Sequence, residues 1–371
     1  MKEKEIAYTE ALEYASCISA LVVTATPVEM DELLDNLEPL PDQGAILRTY
    51  KDSQTYYLGI FGAYLVVAAE SNMGAARVGG AIMTVSNAIN DWSPKAVLMV
   101  GIAFGVDKDK QQIGDVLVSG EILPYTMQRR GKEVTIQSSP QPEASITLRD
   151  RFRSARRNWS HSLPDGEQAD MKICQLLSGD VLVDNIEFRN ELLSVFPKAK
   201  GGEMEGNGVY VASTHGKLDW IVVKAICDFA DGEKSVNKKE NQQIAIRSSV
   251  SLCKHVFSSR FAFQDLGFVL ADECIKSGQS IVVLRLLSDE EVAELRRLIT
   301  NNRLDRAFAK LEKLLENTDR KHPVRNELAT LSADWANIQK RDRLNLADYG
   351  EVRKVTNQIV YSLLELIDRL R

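Results

Sequence analysis

Between Ala20 and about Phe261 the chain repeats one pattern: a short run rich in Val, Ile, Leu and Ala, then a stretch with helical spacing. The runs are ALVVTAT (20–26), YYLGIFG (56–62), YLVVAAE (64–70), AVLMVGIA (96–103), GDVLVSG (114–120), KICQLLSG (172–179) and WIVVKAIC (220–227). They are continuous rather than alternating, as strands buried on both faces are. VEMDELLDNL, ARVGGAIMTVSNAIND and NIEFRNELLSVF supply helices between them. Parallel strands need such crossovers, so the order predicts an α/β fold with a mostly parallel mixed sheet flanked by helices.

After Phe261 the texture changes. Residues 288–371 are rich in Leu, Glu, Arg and Lys and lack strand-like runs. Ser288 followed by Glu291 reads as a capping box. Helical spacing follows at 289–301, 303–316, 324–341 and 347–370, with breaks at Asn301–Asn302, Pro323 and near Leu346. At roughly 100–200 residues per domain, a chain of this length holds two. The expected division is an N-terminal helical lead (1–19), an α/β domain (20–262), a linker or edge element (263–287, including IVVLRLL) and a small C-terminal all-α bundle (288–371).

Composition excludes several classes. The formal net charge is −6, against the basic face that broad nucleic-acid binding requires. The five cysteines are scattered without a CxxC, and the four histidines lie far from them and from each other. Neither a disulfide framework nor a metal site is expected, and free thiols suit a reducing compartment. MKEKEIAYTEALEYASC has no apolar signal core, and no apolar run reaches the roughly 18 residues of a membrane span. A cytoplasmic protein with no cofactor, nucleic-acid or membrane partner is the expectation.

Ligands of open α/β sheets bind beyond the carboxyl ends of the strands. There the sequence places TATPVEM, SNMGAARVGG, GIAFGV, SGD and CDFADG. The segment GGEMEGNGVYVA (201–212) brings Glu203 and Glu205 two apart, on one side of an extended stretch. A carboxylate can accept both hydrogens of a ribose cis-diol. Asp228 ends the apolar run WIVVKAIC, where burial favours the protonated form. A protonated aspartate can pass its proton to purine N7 and make the base a neutral leaving group.

With these motifs together, residues 20 to about 260 resemble the nucleoside phosphorylase and nucleosidase superfamily, particularly methylthioadenosine/S-adenosylhomocysteine nucleosidases. EMEGNG and VVKAICDFADG stand where that family has VEMEGAA and VVRAISDxAD. SGDVLV (178–183), IGDVLVS (113–119) and VGIAFGV (100–106) resemble SGDAFI, VGDVVVS and TGSAGGL in the same order. The resemblance implies a nucleoside phosphorylase-like fold and a purine bond to cleave. It assigns Asp228 as the acid and Glu29 as the residue that orients and deprotonates water. It counts Glu203 with them as the third catalytic residue, gives Glu205 the ribose hydroxyls and packs Met204 beneath the sugar. Ala103, Phe104, Leu182 and Val183 fall on its base-binding segments.

Superfamily phosphorylases hold phosphate with an arginine in a GDPxR loop after the first strand. TATPVEM has none, and Met99 stands near the position of a second arginine, so hydrolysis is favoured over phosphorolysis. Lys224 replaces an arginine near the water, Cys227 a serine, and Ile102 and Phe104 small residues. Tyr125, Arg129, Arg130 and Lys132 fall where the family builds its 5′-substituent pocket. Their charge suits a 5′-phosphate, hence ATP or AMP. A methylthioadenosine-type nucleosidase, a purine nucleoside phosphorylase and a non-catalytic nucleotide-binding module are the alternatives. Glu29 also reads as an ordinary first-turn acid, and the Arg129–Arg130 cluster as a solvated loop.

The tail LDRAF…LEKLLE, ELATLSADW and YSLLELIDRL resembles the helical effector-associated domains of bacterial conflict proteins. That resemblance implies an effector of antiphage defence recruited by a like domain on a sensor protein. A homodimer or larger oligomer is expected from the family.

Overall fold

The computed structural model of the chain describes residues 2–41, 43–125, 128–130, 135–137, 140–233, 235, 237–276, 287–301, 303–315, 323–344 and 348–370. The chain divides into two compact units, Met1–Ser280 and Ile281–Arg371.

The first unit carries strands β1 (Glu3–Glu5), β2 (Ile18–Thr24), β3 (Ile46–Lys51), β4 (Gln54–Phe61), β5 (Tyr64–Glu70), β6 (Ala96–Gly105), β7 (Val116–Pro124), β8 (Gln128–Arg130), β9 (Thr135–Gln137), β10 (Met171–Ser178), β11 (Ala199–Glu203) and β12 (Asp219–Asp228). Its helices are α1 (Tyr8–Ala11), α2 (Pro27–Asn36), α3 (Ala81–Trp92), α4 (Ile146–Ala155), α5 (Ile186–Val195), α6 (Gly206–His215), α7 (Lys238–Phe257) and α8 (Ala271–Lys276). All but β8 and β9 join one sheet in the order β1-β3-β4-β5-β2-β6-β11-β10-β7-β12. The pairs β2–β5, β2–β6, β6–β12, β7–β10, β10–β11 and β1–β3 are parallel. The pairs β3–β4, β4–β5, β6–β11 and β7–β12 are antiparallel. The expected mixed α/β sheet is present, and the family-like runs form its centre.

One feature of this sheet positions the site. The first half of β6 pairs with β2, from Ala20↔Ala96 to Val23↔Met99. Its far end pairs with β11 instead, at Gly202↔Phe104 and Gly201↔Gly105. On its other side β6 pairs with β12 along nearly its whole length, so β6, β11, β10, β7 and β12 close into a ring. Between Met99 and Phe104 one flank of β6 passes from β2 to β11, and a crevice opens there at the strands' carboxyl ends.

Several elements differ from expectation. The lead is not purely helical: Glu3–Glu5 is an edge strand beside β3, and its charged side chains give no apolar signal. The helix expected from Ala76 begins at Ala81, because Gly79 (φ +70) takes left-handed backbone that a helix cannot contain. Helices α4 and α7 were not foreseen; the first turns of α7, KKENQQ, are polar and hide its buried stripe from Ala245 to Phe257.

The cysteine expectation is corrected. Cys17 and Cys274 are disulfide-bonded, with Cα atoms 5.9 Å apart across a sequence separation of 257. No spacing motif can report a pair so distant in the chain. Residues 264–276 belong to the first unit through this bond and the Tyr64↔Leu270 bridge. Most of IVVLRLL lies outside the described residues. Its last residue, Leu287, is fully buried in the second unit, and its amide donates to the Leu370 carbonyl.

The second unit holds α9 (Asp289–Thr300), α10 (Leu304–Leu314), α11 (Pro323–Arg343) and α12 (Tyr349–Leu370). The capping box at Ser288 and Glu291 forms in both directions. Leu295, Ala307, Leu311, Leu363 and Leu366 are fully buried in a core separate from that of the first unit.

Candidate active site

A cleft of about 130 Å³ opens at the crevice beside β6. Glu29, Ala103, Phe104, Leu182, Val183, Glu203, Met204, Glu205 and Asp228 line it. These come from five strand ends far apart in sequence, which only the sheet topology gathers.

Behind the lining lies Lys224, on β12, which is 1% exposed. Its Nζ donates to Glu205 Oε2 at 3.1 Å and stands 3.8 Å from Glu29 Oε1. Burial lowers the affinity of this ammonium for its proton. Glu205, Glu29 and Glu203 outweigh burial and hold its pKa well above the usual lysine range. Gly101, opposite Lys224 on β6, makes this arrangement possible. A Cβ there would sit 2.2 Å from Glu29 Oε1 and 2.6 Å from Lys224 Nζ.

Glu29 lies in the first turn of α2 and is fully buried rather than solvated. Its Oε2 accepts from the Ala25 amide and its Oε1 from the Ile102 amide, both at 2.8 Å. The Ile102 amide is available because β6 has left β2 and not yet met β11. Burial raises the Glu29 pKa, Lys224 opposes it, and Glu205 adds to it. Glu205 Oε1 accepts from the Gly74 amide at 3.0 Å, which ties the loop after β5 to the site.

Glu203 ends β11. Its Oε2 accepts from the amides of Glu205 (2.9 Å) and Gly206 (2.7 Å). Its Oε1 is buried and has no hydrogen-bond partner among the described residues. Burial first, then the neighbouring Glu205, pushes its pKa up to about 7 against the pull of Lys224. A carboxyl balanced near neutrality can either accept or donate through that oxygen.

Asp228 ends β12 just past a β-bulge, where Ile226 faces Ala103 and Asp228 faces Phe104. The bulge shifts the alternation of β12 and so sets the direction of Asp228. Asp228 is 8% exposed; Oδ1 accepts from the Ala230 amide at 3.0 Å and Oδ2 from the Cys227 thiol at 3.3 Å. Phe104 closes one wall, its ring packed where a Cβ on Gly202 would be 2.3 Å away. Leu182 and Val181 stand exposed at the rim.

Other expected residues stand elsewhere. Tyr125 is buried beneath the 178–183 loop, donating to the carbonyls of Val181 (2.9 Å) and Gly179 (3.2 Å). It shapes the loop that carries Leu182. Arg129 and Arg130 lie on β8, paired with β9, and their side chains, like Lys132, fall outside the described residues. Unforeseen lining residues are Thr26, Met73, Lys238 and Gln242. Thr26 and Met73 lie within strand-end segments singled out above, TATPVEM and SNMGAARVGG; Lys238 and Gln242 sit on the unforeseen α7.

A cleft with a buried acid at a strand end, a lysine-clamped pair of carboxylates and an apolar wall can protonate a base, hold water and grip a diol. Over residues 19–258 the chain matches the Phosphorylase superfamily, and it belongs to that family. Residues 290–371 match Effector-associated domain 11. The chain is 28% identical over 262 residues to a "Death domain-containing ATP nucleosidase" of Amphimedon queenslandica, covering 64% of this chain and 48% of that protein. It thus spans about half the length of that relative. A 5′-methylthioadenosine/S-adenosylhomocysteine nucleosidase of Staphylococcus epidermidis is 26% identical over 194 residues, 52% of this chain and 82% of that one. Among solved structures, the 5′-methylthioadenosine/S-adenosylhomocysteine nucleosidase of Neisseria meningitidis superposes with a TM-score of 0.55 at 20% identity, over 65% of this chain and 99% of that chain. The futalosine hydrolase of Helicobacter pylori does so at 0.54 and 19%, over 65% and 97%. These superpositions establish the shared fold.

Proposed function

We propose that this chain hydrolyses the N-glycosidic bond of an adenine nucleotide such as ATP or AMP and releases free base. The observation that carries this reading is that Glu29 and Glu205, bridged by the buried Lys224, line the same cleft as Asp228. Asp228 protonates the purine as the bond breaks and the ribose gains oxocarbenium character. Glu29, held by two backbone amides, orients water and takes its proton. Glu205 and Glu203 grip the ribose hydroxyls, and Met204 packs beneath the sugar. The carboxylates around Lys224 leave it no free charge for a phosphate nucleophile, which favours water. The ATP-directed relative supports a nucleotide over a methylthio nucleoside.

The C-terminal match supports an effector of antiphage defence, brought by its helical unit to a sensor protein carrying a like domain. We further assign it a homo-oligomeric state and a cytoplasmic setting, where its nucleotides are. Among the described residues no helix is long and apolar enough to cross a membrane.

The test is base release from ATP, AMP, adenosine and methylthioadenosine in phosphate-free buffer. Asp228→Asn is expected to slow release by about 10²–10⁴-fold, the contribution of one positioned acid. Release only upon adding phosphate would sink hydrolysis; nucleotide binding without any release would leave a binding module.

A further inference from the structure

The cleft is acidic where the sugar and base would sit. Glu29, Glu203, Glu205 and Asp228 all line it, and the buried cation Lys224 is already committed to two of them. A 5′-phosphate entering this space meets repulsion unless a cation stands at the rim. Lys238 is that cation. It is the first residue of α7, solvent-exposed, lines the cleft, and takes part in no ion pair among the described residues. Gln242 lines the cleft as well and lies four residues on, on the same face of the helix.

A second group points the same way. Thr26, between β2 and α2, also lines the cleft. Its Oγ1 is buried and has no hydrogen-bond partner among the described residues, although the N-cap position normally employs such a hydroxyl. A buried hydroxyl left unmatched in a ligand cleft is costly unless a ligand completes it.

We propose that Lys238, Gln242 and Thr26 form the subsite for the 5′-phosphoryl groups of the substrate, making the enzyme selective for nucleotides over nucleosides. This rests on the nucleosidase reading above and assigns its specificity. Lys238 offers a point charge with three donors, Gln242 an amide donor and Thr26 a hydroxyl donor, all suited to phosphate oxygens. Among the lining residues these three are the polar side chains other than the carboxylates and Cys227.

The experiment uses the full chain and compares kcat/KM for ATP and adenosine in the wild type, Lys238→Glu, Gln242→Ala and Thr26→Val. The ratio of ATP to adenosine is expected to fall about 10- to 100-fold in Lys238→Glu, as loss of a charged hydrogen bond does, and less in the other two. An unchanged ratio, or equal losses on both substrates, overturns the subsite. Binding of ATP and adenosine to Asp228→Asn protein, with and without Lys238→Glu, separates this from the nucleosidase reading. If no variant or wild type releases base, that reading fails. ATP binding that exceeds adenosine binding and depends on Lys238 would still uphold the subsite, and equal binding would remove it. Inorganic phosphate is expected to compete with ATP. If it instead accelerates base release and yields ribose 1-phosphate, the subsite holds attacking phosphate and both proposals fall.

Discussion

Lys224 is the side chain on which the site's electrostatics turn. A buried ammonium between two buried carboxylates is tolerated because each carboxylate also accepts backbone amides. Lys224→Met leaves Glu29 and Glu205 buried without a counter-charge. The expected loss is about 3–5 kcal/mol of unfolding free energy near pH 8, read by denaturant titration. The loss should shrink in acid, where the two carboxyls protonate. Glu203 has its own signature. Its pKa in the fold, about 7, lies above the usual carboxylate value, so the folded protein binds the extra proton. Its contribution to stability is therefore full below the unfolded value and declines as pH rises toward 7. In the proposed reaction the sign reverses, because there the ionised form would accept from ribose hydroxyls: KM is expected to fall as pH rises through about 7. Glu203→Gln should flatten that profile, and an unaltered profile would exclude Glu203 as its source.

Pairings between elements decide where these residues meet. The passage of β6 from β2 to β11 exposes the Ile102 amide to Glu29, and the bulge in β12 turns Asp228 into the same cleft. Neither event has a sequence motif. Elsewhere the Cys17–Cys274 bond ties the turns before β2 to α8. Cys17→Ser is expected to cost about 2–4 kcal/mol of stability under oxidising conditions and little under reducing ones, by thermal melts of both proteins in each buffer. Equal melting temperatures in oxidising buffer would show that the bond contributes nothing.

The two units have separate cores, one running through the mixed sheet and one through α9–α12. Each buries its own apolar residues, so each should fold without the other. A chain ending at Ser280 is expected to unfold cooperatively and to keep the proposed base-releasing activity in isolation. The isolated 287–371 segment should give a helical spectrum and its own cooperative transition. Loss of activity on removal of the helical unit, with folding retained, would instead make that unit part of the catalytic apparatus.

Much of this was legible in the residues. Buried strands announce themselves as continuous apolar runs because both faces meet protein, and the helical tail shows its spacing because one face meets water. The position of Glu29, Glu203, Glu205 and Asp228 at the strand ends was readable because carboxylates are rare beside such runs. The remainder depended on contacts between distant segments. Lys224 looked like a weakened arginine, yet in the fold it is a point charge set between two carboxylates. Tyr125 looked like a ligand contact and supports a loop from below. Lys238 and Gln242 carried no local signal, because α7 begins polar and reaches the cleft only through packing. Cys17 finds Cys274 for the same reason: sequence encodes which surfaces must be buried, and the closing of the sheet decides which of them meet.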